Sequence, residues 1–203
     1  MNNFHIVPAC LPYTVEDLEH FIVMWQSQAP RIHIDCVRNI SPDIQNTLSL
    51  LEIIQVLSPY EFSFKYIEFH VMGDMLFKNE CSNIYSEFHN AIIFSKQDEE
   101  GIAKELHHPF GIEKEISDVN CMMIEHIGVQ GQSFKEEYVA DLVKFIKSTT
   151  IKNIHIDGGI NSETIKMMKE MFHQEEISDK EIFFTIGSYL QQDSLKRFKE
   201  IML

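Results

Sequence analysis

Short apolar runs of strand length alternate along this chain with longer stretches whose apolar positions recur three and four residues apart. Phe4-His5-Ile6-Val7-Pro8-Ala9 is strand-like and opens into a proline-containing loop. Thr14 then offers an N-cap, Asp17 stands three residues on, and Leu18, Phe21, Ile22 and Trp25 fall on one helical face. Residues 31–37 read as a second strand, 44–57 as a second helical stripe closed by Ser58-Pro59, and 66–72 as a third strand. Strand, helix, strand, helix, strand is the rhythm of a parallel sheet with crossover helices.

Between Gly73 and Asp118 that rhythm weakens. Residues 83–88 and 91–95 both read as strands, with too little chain between them for the crossover of about a dozen residues that parallel neighbours need. One layer is therefore expected to be abbreviated. Residues 97–106 form an acidic helical candidate that His107-His108-Pro109 would end. Regularity returns at 119–124, apolar without alternation, as in a strand buried on both faces. A helix over about 134–147, a strand over 153–157, a helix from the Asn161 cap through Phe172, a strand over 182–186 and a closing helix complete the chain. The polar and glycine signals stand at the C-terminal ends of the strands, where a (β/α)8 barrel builds its site. The pattern predicts an α/β fold, a (β/α)8 TIM barrel with an abbreviated middle unit, as one domain over residues 1–203.

Side chains alternate along a strand, so His33, Asp35 and Val37 share one face while Ile32, Ile34 and Cys36 share the other. The strands at 66–72 and 153–157 repeat the arrangement and bring His70 and Asp157 to comparable ends. Inward residues at the tops of barrel strands converge, so these four could supply two nitrogens and two carboxylates to one divalent metal. Imidazole and carboxylate suit Zn, Fe, Mn and Co alike. Taken singly, each has a plainer reading, because a strand His is most often a hydrogen-bonded core residue and an Asp before two glycines most often forms a turn. Their joint placement at three strand ends favours the metal. His5 and His155 read as inner or lower-layer residues, His126 lacks comparable support, and His107 and His108 read as a solvated pair.

Gly128, Gly131, Gly158, Gly159 and Gly187 follow the last three strands, where missing side chains let backbone amides approach an anion. Each alone is also a plain turn signal. Beside the metal set they suggest a phosphorylated substrate gripped at one edge of the barrel.

Charge narrows the classes further. With 31 acidic against 17 basic residues the formal charge is -14, which disfavours nucleic acid and anionic membrane as partners. A small dianion can bind such a protein only where amides and a cation reverse the local field. No apolar run is long enough to span a bilayer and the first residues lack the build of a signal peptide, so a soluble, cytoplasmic protein is expected. Cys10, Cys36, Cys81 and Cys121 are scattered without a CxxC pair, which points to reduced, mostly buried thiols. The oligomeric state is left open, a homo-oligomer included.

Five segments, His33-Ile34-Asp35, His70-Val71-Met72, Met123 followed by Gly128-Val129-Gln130-Gly131-Gln132-Ser133-Phe134, Asp157-Gly158-Gly159, and Gly187-Ser188, occur in the order found in the ribulose-phosphate 3-epimerases, which this chain resembles from about Ile6 onward. The resemblance implies a TIM barrel whose His33, Asp35, His70 and Asp157 hold one divalent metal. It also implies that Asp35 and Asp157 exchange a proton with the carbon beside a ketose phosphate's carbonyl, one on each face, with ribulose 5-phosphate to xylulose 5-phosphate the default reaction. Met72 and Met123 match pocket-lining residues, and Gly128, Val129, Gln130, Gly159, Gly187 and Ser188 match phosphate contacts.

The chain departs from that pattern at identifiable places. After His-x-Asp the family continues Val-Met-Asp-Gly, whereas this chain has Cys36-Val37-Arg38-Asn39, which makes Arg38 a candidate for altered specificity. Pro8-Ala9 stands where the family has Pro-Ser, and Gln130 replaces a loop glycine. The alternative reading is a barrel that binds a sugar phosphate without turning it over. A lyase or decarboxylase is disfavoured because no lysine occupies the strand-end triplets.

Overall fold

The computed structural model describes residues 3–73, 82–96, 104–107, 118–125 and 131–187, together with 196 and 198. Among them are eight strands: β1 (Asn3–Cys10), β2 (Arg31–Arg38), β3 (Tyr66–Gly73), β4 (Ala91–Lys96), β5 (Lys104–His107), β6 (Asp118–Met122), β7 (Asn153–Asp157) and β8 (Glu181–Ile186). Their order in the barrel sheet is simply chain order, β1 to β8, which is the topology of an abbreviated (β/α)8 barrel. The parallel pairs are β1 with β2, β2 with β3, β3 with β4, β6 with β7 and β7 with β8, while β5 runs antiparallel to β6.

The chain divides into two compact units. The N-terminal unit comprises Pro8–Lys96 and His107–Glu115. In it β2 and β3 pair over eight residues, from Arg31 opposite Tyr66 to Arg38 opposite Gly73. Helix α1 (Val15–Trp25) starts where expected, with the Thr14 hydroxyl accepting from the Asp17 amide, and it buries Leu18, Ile22 and Trp25. Helix α2 (Leu50–Leu57) begins later than the apolar stripe suggests. Asn46 and Thr47 are engaged elsewhere: Asn46 Oδ1 accepts from the Asn39 amide at 2.8 Å, and the Val37 amide donates to Thr47 Oγ1 at 3.0 Å. Such side-chain bonds compete with helix, so the start falls to the Ser49–Glu52 capping box. The helix also runs on past Ser58-Pro59 as a 3-10 turn to Ser63, because proline fits a first-turn position.

The middle of the chain corrects two expectations. Residues 83–88 are not a strand: Ser82–Glu87 is a short helix, α3, with Ile84 and Phe88 buried four residues apart and the Phe88 amide bonded to the Ile84 carbonyl at 2.8 Å. This short helix lies on the connection from β3 to β4. The acidic helix expected over 97–106 is also overturned where the chain is described, since Lys104–His107 is β5. Residues 97–103 and His108 lie outside the described residues, as do His126 and Cys81.

The C-terminal unit comprises Met1–Val7, Gln97–Leu106 and Ile116–Leu203. Here β6, β7 and β8 lie side by side, with Met122 opposite Asp157 and Asp157 opposite Thr185. Helix α4 (Val139–Ser148) is preceded by a 3-10 turn over Glu136–Tyr138, later than the expected start near 134. The delay follows from the Lys135 amide donating to the Met123 carbonyl at 2.9 Å, which ties that stretch to the end of β6. Helix α5 (Ser162–Gln174) has Asn161 as its cap, as the sequence indicates. No helix among the described residues is long and apolar enough to cross a membrane.

Candidate metal centre

In β2 and β3 the outward side chains Ile32, Ile34, Cys36, Ile67, Phe69 and Val71 are fully buried, which fixes the opposite face as the one carrying His33, Asp35, Glu68 and His70. Register then does the assembly. His33 is opposite Glu68 and Asp35 is opposite His70, so four ionisable side chains occupy two adjacent rungs of one parallel pair. His33, Glu68 and His70 are each 0% exposed, whereas the Asp35 side chain keeps 23% of its surface open. The carboxylate is therefore the member that a small ligand can reach.

Distances within the cluster fit a metal shell. The Asp35 Oδ1 atom lies 3.1 Å from His70 Nδ1 and 3.4 Å from His33 Nε2. With metal–donor bonds of about 2.0–2.2 Å, neighbouring donors lie roughly 2.9–3.5 Å apart across octahedral to tetrahedral shells. Each histidine nitrogen thus already stands from the Asp35 oxygen at the spacing one ion would impose. Burial alone would raise the Asp35 pKa, but the two imidazoles beside it, His70 through its hydrogen bond, outweigh burial and hold the carboxyl below the usual carboxylate range. An ionised carboxylate is the form that ligates.

Two further residues belong to this cluster and escape the strand-end reading. Glu68 accepts from Arg31 Nη1 at one oxygen, and its other oxygen is hydrogen-bonded with His33 Nδ1, both at 2.9 Å. Arg31 also lies 4.4 Å over the Tyr66 ring. Their signal in the sequence is the spacing Arg31-x-His33 and Glu68-x-His70, which places each beside a ligand on the same strand face.

In the C-terminal unit Asp157 stands at the end of β7, and its Oδ2 accepts from Asn120 Nδ2 at 3.3 Å. Asn120, on β6, is a third residue that strand-end reading overlooks. Gly158 and Gly159 follow with φ of +97° and +69°. At Gly159 a Cβ would come within 2.2 Å of the Phe134 amide nitrogen, so glycine is required there for the backbone segments to meet. Two of the first amides of α5, those of Glu163 and Thr164, are taken by the Asn161 side chain. Met123 is fully buried, and its amide donates to the Asp157 carbonyl at 2.7 Å.

His155 is an inner residue, in keeping with the expected inner or lower layer, whereas His5 is exposed. His155 is fully buried, with Nε2 3.1 Å from Asp118 Oδ1, and Phe183 stacks between its ring and that of His5. Of the other expected contacts, Met72 is buried at the end of β3, Arg38 is half-buried opposite Gly73, and Gly187 follows β8 directly. Gly128, Val129, Gln130 and Ser188 lie outside the described residues. Cys36 and Cys121 are buried free thiols and Cys10 is half-buried. Burial pushes both Cys10 and Cys121 up to about 12, which makes them poor nucleophiles and poor ligands near neutrality. No protein-family model matches this chain, and no curated protein matches it either.

Proposed function

We propose that this protein is a metal-dependent epimerase acting at the carbon beside the carbonyl of a ketose phosphate, with ribulose 5-phosphate the default substrate and other pentulose or hexulose phosphates within reach. The observation that carries the reading is the His33–Asp35–His70 cluster, three metal-capable donors on adjacent rungs with Asp35 partly open. On this reading His33, Asp35, His70 and Asp157 together would hold one divalent ion. When bound, such an ion supplies Lewis-acid stabilisation of the negative charge that builds on the substrate oxygens.

The chain's own residues have the remaining tasks. Asp35, held ionised, accepts the proton from one face of the reacting carbon, and Asp157 returns a proton to the other, which inverts the centre. The return step requires Asp157 to start protonated, so the two carboxyls titrate as a coupled pair and the rate profile is bell-shaped in pH. Asn120 holds Asp157 in place through its amide. Gly159 and Gly187, with Gly128, Val129, Gln130 and Ser188, receive the phosphate, while Met72 and Met123 wall the pocket and Arg38 tunes which sugar enters.

The test is a screen of pentulose and hexulose phosphates for incorporation of deuterium in deuterated buffer, with metal content measured on the same sample. Solvent incorporation into one substrate, lost on metal removal, is the expected result. A protein that binds these sugar phosphates tightly but exchanges no proton would instead be a binding barrel, and the catalytic reading would fall.

A further inference from the structure

We infer that Arg31 and Glu68 are positioning residues for His33: they hold its imidazole with the proton on Nδ1, so that Nε2 presents its lone pair on the Asp35 side. This deepens the metal-site reading and rests on it. Glu68 stands between two groups, Arg31 Nη1 at Oε1 and His33 Nδ1 at Oε2, each 2.9 Å away. A guanidinium offers donors only, so the oxygen facing Arg31 must accept. The carboxylate's other oxygen is an acceptor as well, and His33 Nδ1 is left to donate. The proton is thereby assigned to Nδ1, while Nε2 lies 3.4 Å from Asp35 Oδ1.

Packing removes the alternatives. Arg31 is 8% exposed and Glu68 and His33 are each 0% exposed, so solvent cannot substitute for any of the three. The Arg31 guanidinium is seated 4.4 Å over the Tyr66 ring, and Phe94 stacks on the His33 ring at 6.3 Å, tilted by 21°. A buried ion pair commonly adds little stability over an apolar pair of the same volume. What Arg31–Glu68 adds is direction, in the way that carboxylates behind ligating histidines fix the ring and its tautomer.

The Glu68→Gln variant separates orientation from mere filling of space. Arg31 would still demand an acceptor, so the carbonyl of the substituted side chain would turn to Arg31 and its amide NH2 to His33. Nδ1 would then have to accept, and the ring proton would move to Nε2. In wild-type protein labelled with 15N-histidine and free of metal, long-range proton–nitrogen spectra should show His33 as the Nδ1–H tautomer, its signals identified by their loss in His33→Gln. Glu68→Gln should show Nε2–H, with Zn2+ affinity by calorimetry lowered about 10- to 100-fold. In Arg31→Met/Glu68→Gln the carbonyl is free to face His33, and both the tautomer and the affinity should recover. That double variant also serves if the single one fails to fold. An Nε2–H tautomer in the wild type, an unchanged tautomer and affinity in Glu68→Gln, or no recovery in the double variant would overturn the assignment. Wild-type protein with the expected tautomers but no Zn2+ binding would overturn the metal reading and leave the orientation standing.

Discussion

Two buried histidine–carboxylate pairs, one in each unit, look alike in composition and differ in what lies beside them. His33 pairs with Glu68 across β2 and β3, and His155 pairs with Asp118 across β6 and β7. Both rings are fully buried. Beyond His33, however, the polar chain continues to Asp35 and His70, and behind Glu68 stands Arg31. Beyond His155 lies the Phe183 ring and then His5, which bonds Glu181 at the surface. The first pair is one end of a charged network that reaches a partly open carboxylate, and the second closes a layer of the core. A histidine's residue type therefore says less about its work than the rung it occupies.

The largest effect should come from removing the open carboxylate. Asp35→Asn should lower the rate of substrate proton exchange about 10²- to 10⁴-fold, whereas His155→Gln should leave exchange within a few-fold of wild type. Both are read by NMR in deuterated buffer, and equal losses would erase the distinction between the pairs.

Stability should differ next. Glu68→Leu breaks the buried Arg31–Glu68 ion pair and should cost about 3–5 kcal/mol. Asp118→Leu leaves a buried imidazole with one fewer partner and should cost about 1–3 kcal/mol. Urea denaturation of both variants would compare them directly, and a costlier Asp118 variant would reverse the ranking.

The pH limits of stability should also separate. Asp35 has a folded pKa below its unfolded value, so it stabilises the fold above the ordinary carboxylate range and that contribution fades as pH falls through and below it. Cys121 runs the other way: raised to about 12 from 9.0, it stabilises below pH 9 and loses that contribution as pH climbs toward 12. Melting temperatures across acid pH should flatten in Asp35→Asn, and those across alkaline pH should flatten in Cys121→Ala. An Asp35→Asn protein with an unaltered acid limb would show that His33 and His70 do not hold that carboxyl down.

The smallest effect concerns Thr185, opposite Asp157 in β8. Its buried hydroxyl has no hydrogen-bond partner among the described residues. Thr185→Val should therefore be neutral or stabilising by about 1 kcal/mol, because it removes an unsatisfied polar atom while nearly keeping shape. A clear loss of melting temperature would mean that the hydroxyl is used.

Much of this was readable along the chain, and the misreadings have physical causes. The strands at 31–38 and 66–73 announce themselves by outward isoleucine, valine and phenylalanine in strict alternation, and α1 by its Thr14 cap. The start of α2 is obscured because Thr47 and Asn46 are spent on the Val37 and Asn39 amides around the end of β2, bonds between residues 10 and 7 positions apart. Residues 83–88 read as strand because the six-residue helix at Ser82–Glu87 shows too few turns for a helical period to emerge. Strand β5 is specified by its antiparallel partner β6 more than by its own residues, Lys104-Glu105-Leu106-His107.

By itself the sequence determined most of the strands and helices and which strands carry His33, Asp35, His70 and Asp157, since periodicity, capping and turn chemistry are local. Tertiary structure alone decided which rung meets which. Glu68 reads as an ordinary acid in a strand until the β2–β3 register sets it opposite His33 and within reach of Arg31. Register is a long-range quantity fixed by the burial of whole faces, and a slip of one residue would turn every one of these side chains away from its partner.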